Sequence, residues 1–354
     1  MRIVHVVGAR PNFMKVAPML RALTPHNGVQ QILVHTGQHY DVNMSDVFFR
    51  ELEIPAPDVN LEVGSGPHGR QTAEIITRFE ALVQKARPDL VLVYGDVNST
   101  VAAALVCAKL GIRVGHVEAG LRSFDRSMPE EINRLVTDQL SDLLFTPSQD
   151  GNENLAREGI SGEKVHLVGN VMIDTLVRLL PKAKLPAGFV APERFVLVTL
   201  HRPSNVDNPG RLREVISALN SISMEIPVIF PVHPRTRQRL SGLSIKASDH
   251  LQLLEPCPYL QFLALQQRAT VVVTDSGGIQ EETTYLGIPC LTVRENTERP
   301  ITVSLGTNTL VGNDIESLKR ELSKILQGNL KANRIPPLWD GHAAERIAEI
   351  ICRQ

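Results

Sequence analysis

The sequence predicts an α/β protein of two doubly wound domains, each a parallel sheet with helices on both faces. Three observations carry this. Short β-branched runs alternate with amphipathic stretches, and strands apolar on both faces, such as LVLVY at 90–94, belong to parallel sheets covered on both sides. The alternation restarts after a segment punctuated by Pro181, Pro186 and Pro192. Finally, 354 residues are long for a single core and suggest two domains.

In chain order, strands are expected at 3–7, 31–36, 90–94, 113–117, 143–146 and 165–168. Helical patterns lie between them; over residues 69–87, Ile75, Ile76, Phe79, Leu82 and Val83 share one face. A second series follows, with strands at 195–200, 227–230, 251–254, 269–274 and 289–293. Residues 170–192 read as the crossover. The first domain is therefore assigned residues 1–169 plus the C-terminal helix at 341–354, and the second residues 170–340. From its own pattern the last helix could pack on either domain.

Composition narrows the function. A net charge of −1 gives no polyanion-binding signature, so nucleic acid is not an expected partner. No apolar run reaches membrane length, and the run Ile3–Val7 is too short for a signal peptide before Gly8, Arg10 and Pro11. The four cysteines are scattered without metal-like spacing and read as reduced, mostly core thiols. A cytoplasmic enzyme is expected.

In doubly wound sheets ligands sit beyond the carboxyl ends of the strands, so position matters as much as residue type. Gly8-Ala9-Arg10-Pro11 leaves the first strand for a helix with Lys15 one turn in, an anion-binding arrangement that could equally be plain turn chemistry. Asp96 follows the strand at 90–94 and is either a functional carboxylate or a helix N-cap. Glu118 has the same address after 113–117 and no capping role. Glu130 and Glu131 open a helix with Arg134. Separate carboxylates facing one pocket suit a reaction in which one group takes a proton and another gives one, although Glu130 and Arg134 also have the spacing of a solvated helical pair. His201-Arg202 ends the second domain's first strand, and His233 with Arg235 repeats the pattern, suggesting an electropositive crevice. Thr274–Glu282 (TDSGGIQEE) is the most specific signal. Its paired glycines let N–H groups approach a phosphate at the positive end of a helix, and Glu281 or Glu282 can accept two ribose hydroxyls. Arg294, Glu298 and Arg299 add charge to the same rim.

Taken together, GARP with Lys15, YGDVNST (94–100), HVEAGLRS (116–123), PEEINR (129–134), PVHPR (231–235), TDSGGIQEE and TERP (297–300) resemble the non-hydrolysing UDP-N-acetylglucosamine 2-epimerase family over nearly the whole chain. The resemblance implies a glycosyltransferase-B-like architecture with a nucleotide sugar in the cleft between the domains. It implies inversion of C2 of UDP-GlcNAc to give UDP-ManNAc, with no cofactor such as NAD and no metal, by elimination of UDP to 2-acetamidoglucal and re-addition. By matching position, Asp96, Glu118 and Glu130 become the acid/base carboxylates and His201 a further essential group. Arg10, Lys15, Ser276, Gly277 and Gly278 fall on the UDP phosphates, Glu282 on the ribose, and Arg299 and His233 in the substrate site; Glu131 is left outside the chemistry. A homodimer is implied in the same way.

Two departures bear on the substrate. The chain reads LHRPSN at 200–205 where many bacterial relatives have GHRRES. From Gln38 it reads QHYDVNMSD rather than the QHREM of relatives activated by a second UDP-GlcNAc, and this stretch resembles relatives acting on UDP-2,3-diacetamido-2,3-dideoxyglucuronate. The intact TERP favours UDP-GlcNAc. A glycosyltransferase of similar fold is the competing class, and the three carboxylates argue against it.

Overall fold

The computed structural model describes residues 1–38, 49–232, 234–242 and 248–353, the side chains at 234, 235, 241 and 242 excepted. The chain forms two compact units, Met1–Arg178 with Pro337–Gln354, and Leu179–Pro336.

The first unit alternates β1 (Arg2–Val7), α1 (Arg10–Leu23), β2 (Gln30–His35), β3 (Val59–Asn60), α2 (His68–Ala86), β4 (Leu90–Tyr94), α3 (Asn98–Leu110), β5 (Arg113–Val117), α4 (Pro129–Leu140), β6 (Leu143–Thr146), α5 (Gln149–Arg157), β7 (Val165–Leu167) and α6 (Val171–Leu179). Its seven strands are ordered β3-β2-β1-β4-β5-β6-β7 and every pair is parallel. The β-branched runs bury both faces. Val4, Val6, Val91 and Val93 pack with Phe79 and Val83 of α2 and with Ala103 of α3, each large apolar side chain contributing about 1.5–3 kcal/mol of transfer free energy. Ile75 belongs to the same buried stripe of α2, as its spacing requires.

The second unit contains β8 (Val196–Thr199), α7 (Pro203–Val206), α8 (Pro209–Ser223), β9 (Val228–Pro231), α9 (Pro234–Gly242), β10 (Leu251–Leu254), α10 (Tyr259–Arg268), β11 (Val271–Thr274), α11 (Gly277–Leu286), β12 (Cys290–Thr292), α12 (Pro300–Ser304), β13 (Asn308–Leu310) and α13 (Ile315–Leu326). Its six parallel strands are ordered β10-β9-β8-β11-β12-β13. In both sheets the order reverses beside the first strand, between β1 and β4 and between β8 and β11. Such switch points open a crevice at the strands' carboxyl ends.

The last helix, α14 (Ala343–Cys352), packs on α1 of the first unit. Two bonds fix its start: the N–H groups of Ala343 and Ala344 donate to Asp174 at 3.1 and 2.7 Å. Trp339 Nε1 donates to the Pro147 carbonyl at 2.9 Å. Burial pushes the Asp174 carboxyl up to about 6. Two edge strands escaped the sequence reading. Val59–Asn60 and Asn308–Leu310 are too short to show periodicity and exist because a neighbouring strand offers a ladder. Among the described residues, no helix is long and apolar enough to cross a membrane.

Candidate active site

At the first switch point, the turn from β1 into α1 is organised by a side chain the sequence reading passed over. Asn12 Oδ1 accepts the N–H groups of Gly8 and Ala9 at 3.0 and 3.1 Å, while its amide donates to the Tyr94 carbonyl at 2.8 Å. The turn is thereby tied to the end of β4. Those two N–H groups are occupied, so a ligand anion at this turn would depend on side chains such as Arg10. A Cβ at Gly8 would lie 2.0 Å from Ser99 Oγ, which explains that glycine by close approach.

Lys15 is buried and its Nζ lies 2.8 Å from Glu118 Oε2, itself buried. The pair exists because Gly95, in the left-handed region at φ 62, leaves the space: a Cβ there would stand 2.5 Å from Lys15 Nζ. Glu118 is also left-handed, at φ 75. For a residue with a side chain this costs about 1–2 kcal/mol, and such strain concentrates where geometry matters for function.

Asp96 does not cap α3. The N-cap is Val97, and no side-chain bond caps that helix. Instead Arg134 Nη1 lies 2.5 Å from Asp96 Oδ2. Asp96 and Glu118 thus stand at the ends of adjacent strands, each on its own cation. The helix-spaced partner of Arg134 is Glu131, not Glu130. Glu131 is 1% exposed and accepts from Ser123 N and Oγ at 3.0 Å and from Phe124 N at 2.9 Å. Burial alone would raise its carboxyl, but the Ser123 amide and the Arg134 guanidinium hold it below the ordinary range. Glu130 is half-buried and, among the described residues, has no side-chain partner. The solvated pair allowed by spacing is therefore not formed.

Beneath this cluster, His116 offers Nδ1 to Asp138 at 2.6 Å and Nε2 to the Gly95 carbonyl at 2.8 Å. Arg122 pairs with Asp138 at 2.7 Å and bidentately with Glu158 at 2.8 and 2.7 Å. This buried ladder fixes the strand ends that carry Gly95 and Glu118, the kind of support an active-site carboxylate needs.

At the second switch point, α11 begins at Ser276, whose own N–H donates to Thr274 Oγ1 at 3.0 Å and whose side chain makes no cap bond. The first-turn N–H groups at Gly277 and Gly278 therefore meet no capping oxygen, which suits an anion. Gly277 is required by a neighbour rather than by its φ: a Cβ there would lie 2.4 Å from Arg299 Nη1. The guanidinium of Arg299 is thus packed directly against the turn. It pairs with Glu281 at 2.8 Å and Glu298 at 2.7 Å, and Glu298 also meets Arg294 at 2.7 Å and Arg202 at 3.7 Å. Burial would raise the Glu298 carboxyl; Arg299, Arg294 and Arg202 hold it far below the ordinary range. Arg299, Arg294 and Arg202 thus share the carboxylates of Glu281 and Glu298.

Glu282 is 2% exposed, and its Oε1 accepts from the Tyr259 hydroxyl at 2.8 Å. Burial, reinforced by the charge of Glu281, pushes its carboxyl up to about 7. His201 is exposed, with Nδ1 3.1 Å from Asp275 Oδ1. His233 lies outside the described residues, as does the stretch 39–48 that follows Gln38.

In the first unit the geometry thus joins Lys15 to Glu118 and Asp96 to Arg134 at adjacent strand ends, with Arg10 at the head of α1 and Glu130 at the head of α4. In the second it places His201, Ser276, Gly277, Gly278 and Arg299 about the ends of β8 and β11. Arg134 stood in the sequence reading only as a possible partner of Glu130, whereas Asn12 and Asp275 were not singled out by residue type. For Asn12 and Asp275 the one available signal was their place, within a few residues of a strand end.

Residues 21–352 match the family model described as UDP-N-acetylglucosamine 2-epimerase. The chain is 43% identical over 359 residues, 98% of its length and 97% of the relative's, to a UDP-N-acetylglucosamine 2-epimerase from Methanococcus maripaludis. It is 42% identical over 362 residues, all of both chains, to the UDP-2,3-diacetamido-2,3-dideoxy-D-glucuronate 2-epimerase of Pseudomonas aeruginosa. The crystal structure of Methanocaldococcus jannaschii UDP-GlcNAc 2-epimerase in complex with UDP-GlcNAc and UDP matches with a TM-score of 0.92, at 42% identity and full coverage of both chains.

Proposed function

Because this chain belongs to the UDP-N-acetylglucosamine 2-epimerase family and is a UDP-sugar 2-epimerase, we propose that it interconverts UDP-GlcNAc and UDP-ManNAc by eliminating and re-adding UDP. The observation that carries this reading is the pair of carboxylates, Asp96 and Glu118, at neighbouring strand ends on separate cations.

The C2 hydrogen of the sugar is not adjacent to a carbonyl carbon, so simple deprotonation is too costly. In the proposed path a carboxylate takes that proton while the C1–O bond breaks and its electron pair leaves with UDP, giving 2-acetamidoglucal. A second acid group then returns a proton to the other face of C2, and a UDP oxygen re-forms the bond to C1. Asp96, Glu118 and Glu130 are the acid/base groups in this reading, with His201 as a further participant. As the C1–O bond breaks, negative charge grows on the β-phosphate. The N–H groups of Gly277 and Gly278 and the Arg299 cluster would stabilise it there, with Ser276, Arg10 and Lys15 assigned to the same phosphates by the family resemblance, and removing one preorganised donor costs about 10²–10³ in rate. Glu282 would take the ribose hydroxyls, and the family resemblance assigns His233 to the same substrate site. The path draws on no cofactor.

The intact TERP sequence favours UDP-GlcNAc as the substrate; Thr297 Oγ1 donates to Gln280 Oε1 at 2.7 Å and accepts the Arg299 N–H at 3.1 Å, which ties the motif to α11. The full-length match to the Pseudomonas aeruginosa enzyme favours a second reading, the diacetamido uronate. A proton NMR time course in D₂O, run on each nucleotide sugar separately, tests both. UDP-GlcNAc should gain deuterium at C2 and UDP-ManNAc signals should grow in. Exchange with the uronate alone would replace the substrate, and sugar transfer without exchange would replace the reaction class. Asp96→Asn and Glu118→Gln should lose this exchange while retaining UDP. A homodimer follows from the family resemblance, and sedimentation equilibrium tests it.

A further inference from the structure

At the switch point of the second sheet one carboxylate gathers the ends of several elements. Asp275, 0% exposed, follows β11. Its oxygens accept the N–H of His201 at 3.2 and 3.1 Å, the N–H of Arg202 at 2.9 Å and the Asn205 side-chain amide at 3.0 Å. The same Asn205 amide reaches the Val293 carbonyl beyond β12 at 3.2 Å. The His201 ring completes the set, with Nδ1 3.1 Å from Asp275 Oδ1. Burial alone would raise this carboxyl; the His201 ring, Asn205 and the Arg202 N–H together hold it below the ordinary range.

A carboxylate accepts and does not donate, so the atom that meets it on the ring must be Nδ1–H. That fixes the tautomer and directs Nε2 away from the carboxylate. The ring is 57% exposed, whereas Asp275 is wholly buried, so the carboxylate can serve a ligand only through the histidine. Asp275 is also the residue immediately before Ser276, so the His201 ring it holds stands next to that turn.

We propose that Asp275 is a positioning residue for the epimerase reaction, holding His201 as the Nδ1–H tautomer with Nε2 presented to the UDP sugar and aligning that ring with the Ser276–Gly278 turn. The inference rests on the reading that His201 meets the substrate. It assigns Asp275 no contact with the sugar nucleotide.

Nitrogen-15 histidine NMR of the full chain tests the tautomer directly, with the His201 signals identified by their loss in His201→Asn. A protonated Nδ1 with a deshielded hydrogen that moves in Asp275→Asn is expected; an unprotonated Nδ1 in the wild-type protein overturns the proposal. A double-mutant cycle on turnover is the second arm. By analogy with other partners that orient an imidazole, Asp275→Asn should lower turnover about 10–100-fold. The double variant should be no slower than His201→Asn within about threefold, because both changes remove the same unit. Multiplicative losses would mean that Asp275 acts independently of His201 and overturn the proposal. His201→Asn with wild-type turnover would instead refute the underlying role of His201, a separate outcome from the tautomer measurement.

Discussion

Adjacent glutamates at the start of α4 are expected to respond oppositely to the same substitution. Glu131→Gln keeps the volume but removes the charge and one acceptor. Its single carbonyl can replace the oxygen that serves Ser123 and Arg134, and the new amide then faces the Phe124 N–H at 2.9 Å, donor against donor. A buried donor left without an acceptor costs about 1–3 kcal/mol. Breaking a buried ion pair costs about 3–5 kcal/mol, reduced in this case because Arg134 keeps Asp96. Phe124, 73% exposed and left-handed at φ 58, loses the bond that holds its backbone there. A net loss of about 3–4 kcal/mol in a unit of this size corresponds to about 6–16 °C in melting temperature. Glu130→Gln disturbs no partner and should melt within about 2 °C of the parent. It should nonetheless lose about 10²–10⁴ in turnover if Glu130 is an acid/base group. Differential scanning calorimetry, with C2 deuterium exchange measured below the lowered transition, reads both. An unshifted melt for Glu131→Gln, or full exchange by Glu130→Gln, would refute the assignment. The family resemblance alone made Glu131 the mild position; for stability the geometry reverses that order.

Three further perturbations follow from the same contacts. Gly95→Ala adds a Cβ 2.5 Å from Lys15 Nζ in a left-handed backbone; it should expel the ammonium from Glu118 and destabilise the protein by about 4 kcal/mol or more, and a urea midpoint equal to the parent's would exclude this. For Glu282, a folded value of about 7 against an ordinary 4.5 means that its contribution to stability is complete below 4.5 and is lost as pH rises through about 7. The loss amounts to about 3 kcal/mol, so Glu282→Gln should flatten the stability profile over that window; an unchanged profile would reject the shift. If ribose hydroxyls need the ionised form, wild-type UDP affinity should also weaken below about 7, measured by calorimetric titration. Ser276→Tyr should block UDP by crowding the turn at the head of α11, and unchanged affinity in the same titration would move the phosphates elsewhere.

The amino-acid sequence by itself determined the two sheets, their strands except the short edge pieces Val59–Asn60 and Asn308–Leu310, and the addresses of the candidate functional groups. Runs such as Leu90–Tyr94 and Val271–Thr274 form strands at the residues their β-branched, doubly apolar pattern marks, because backbone preference and periodicity are local properties. The position of Asp96, Glu118 and Ser276 just past strand ends is local in the same sense. Only the tertiary structure decided which charge answers which. Glu130 and Glu131 both lie within helical reach of Arg134, and spacing cannot choose between them; the loop at Ser123–Phe124 chooses, by closing over Glu131. Lys15 meets Glu118 because the strand order reverses beside β1, and Asp275 meets His201, 74 positions away, because β8 and β11 are neighbours. Ion pairs form between strand ends that the sheet brings together, and sheet order is a property of the whole chain.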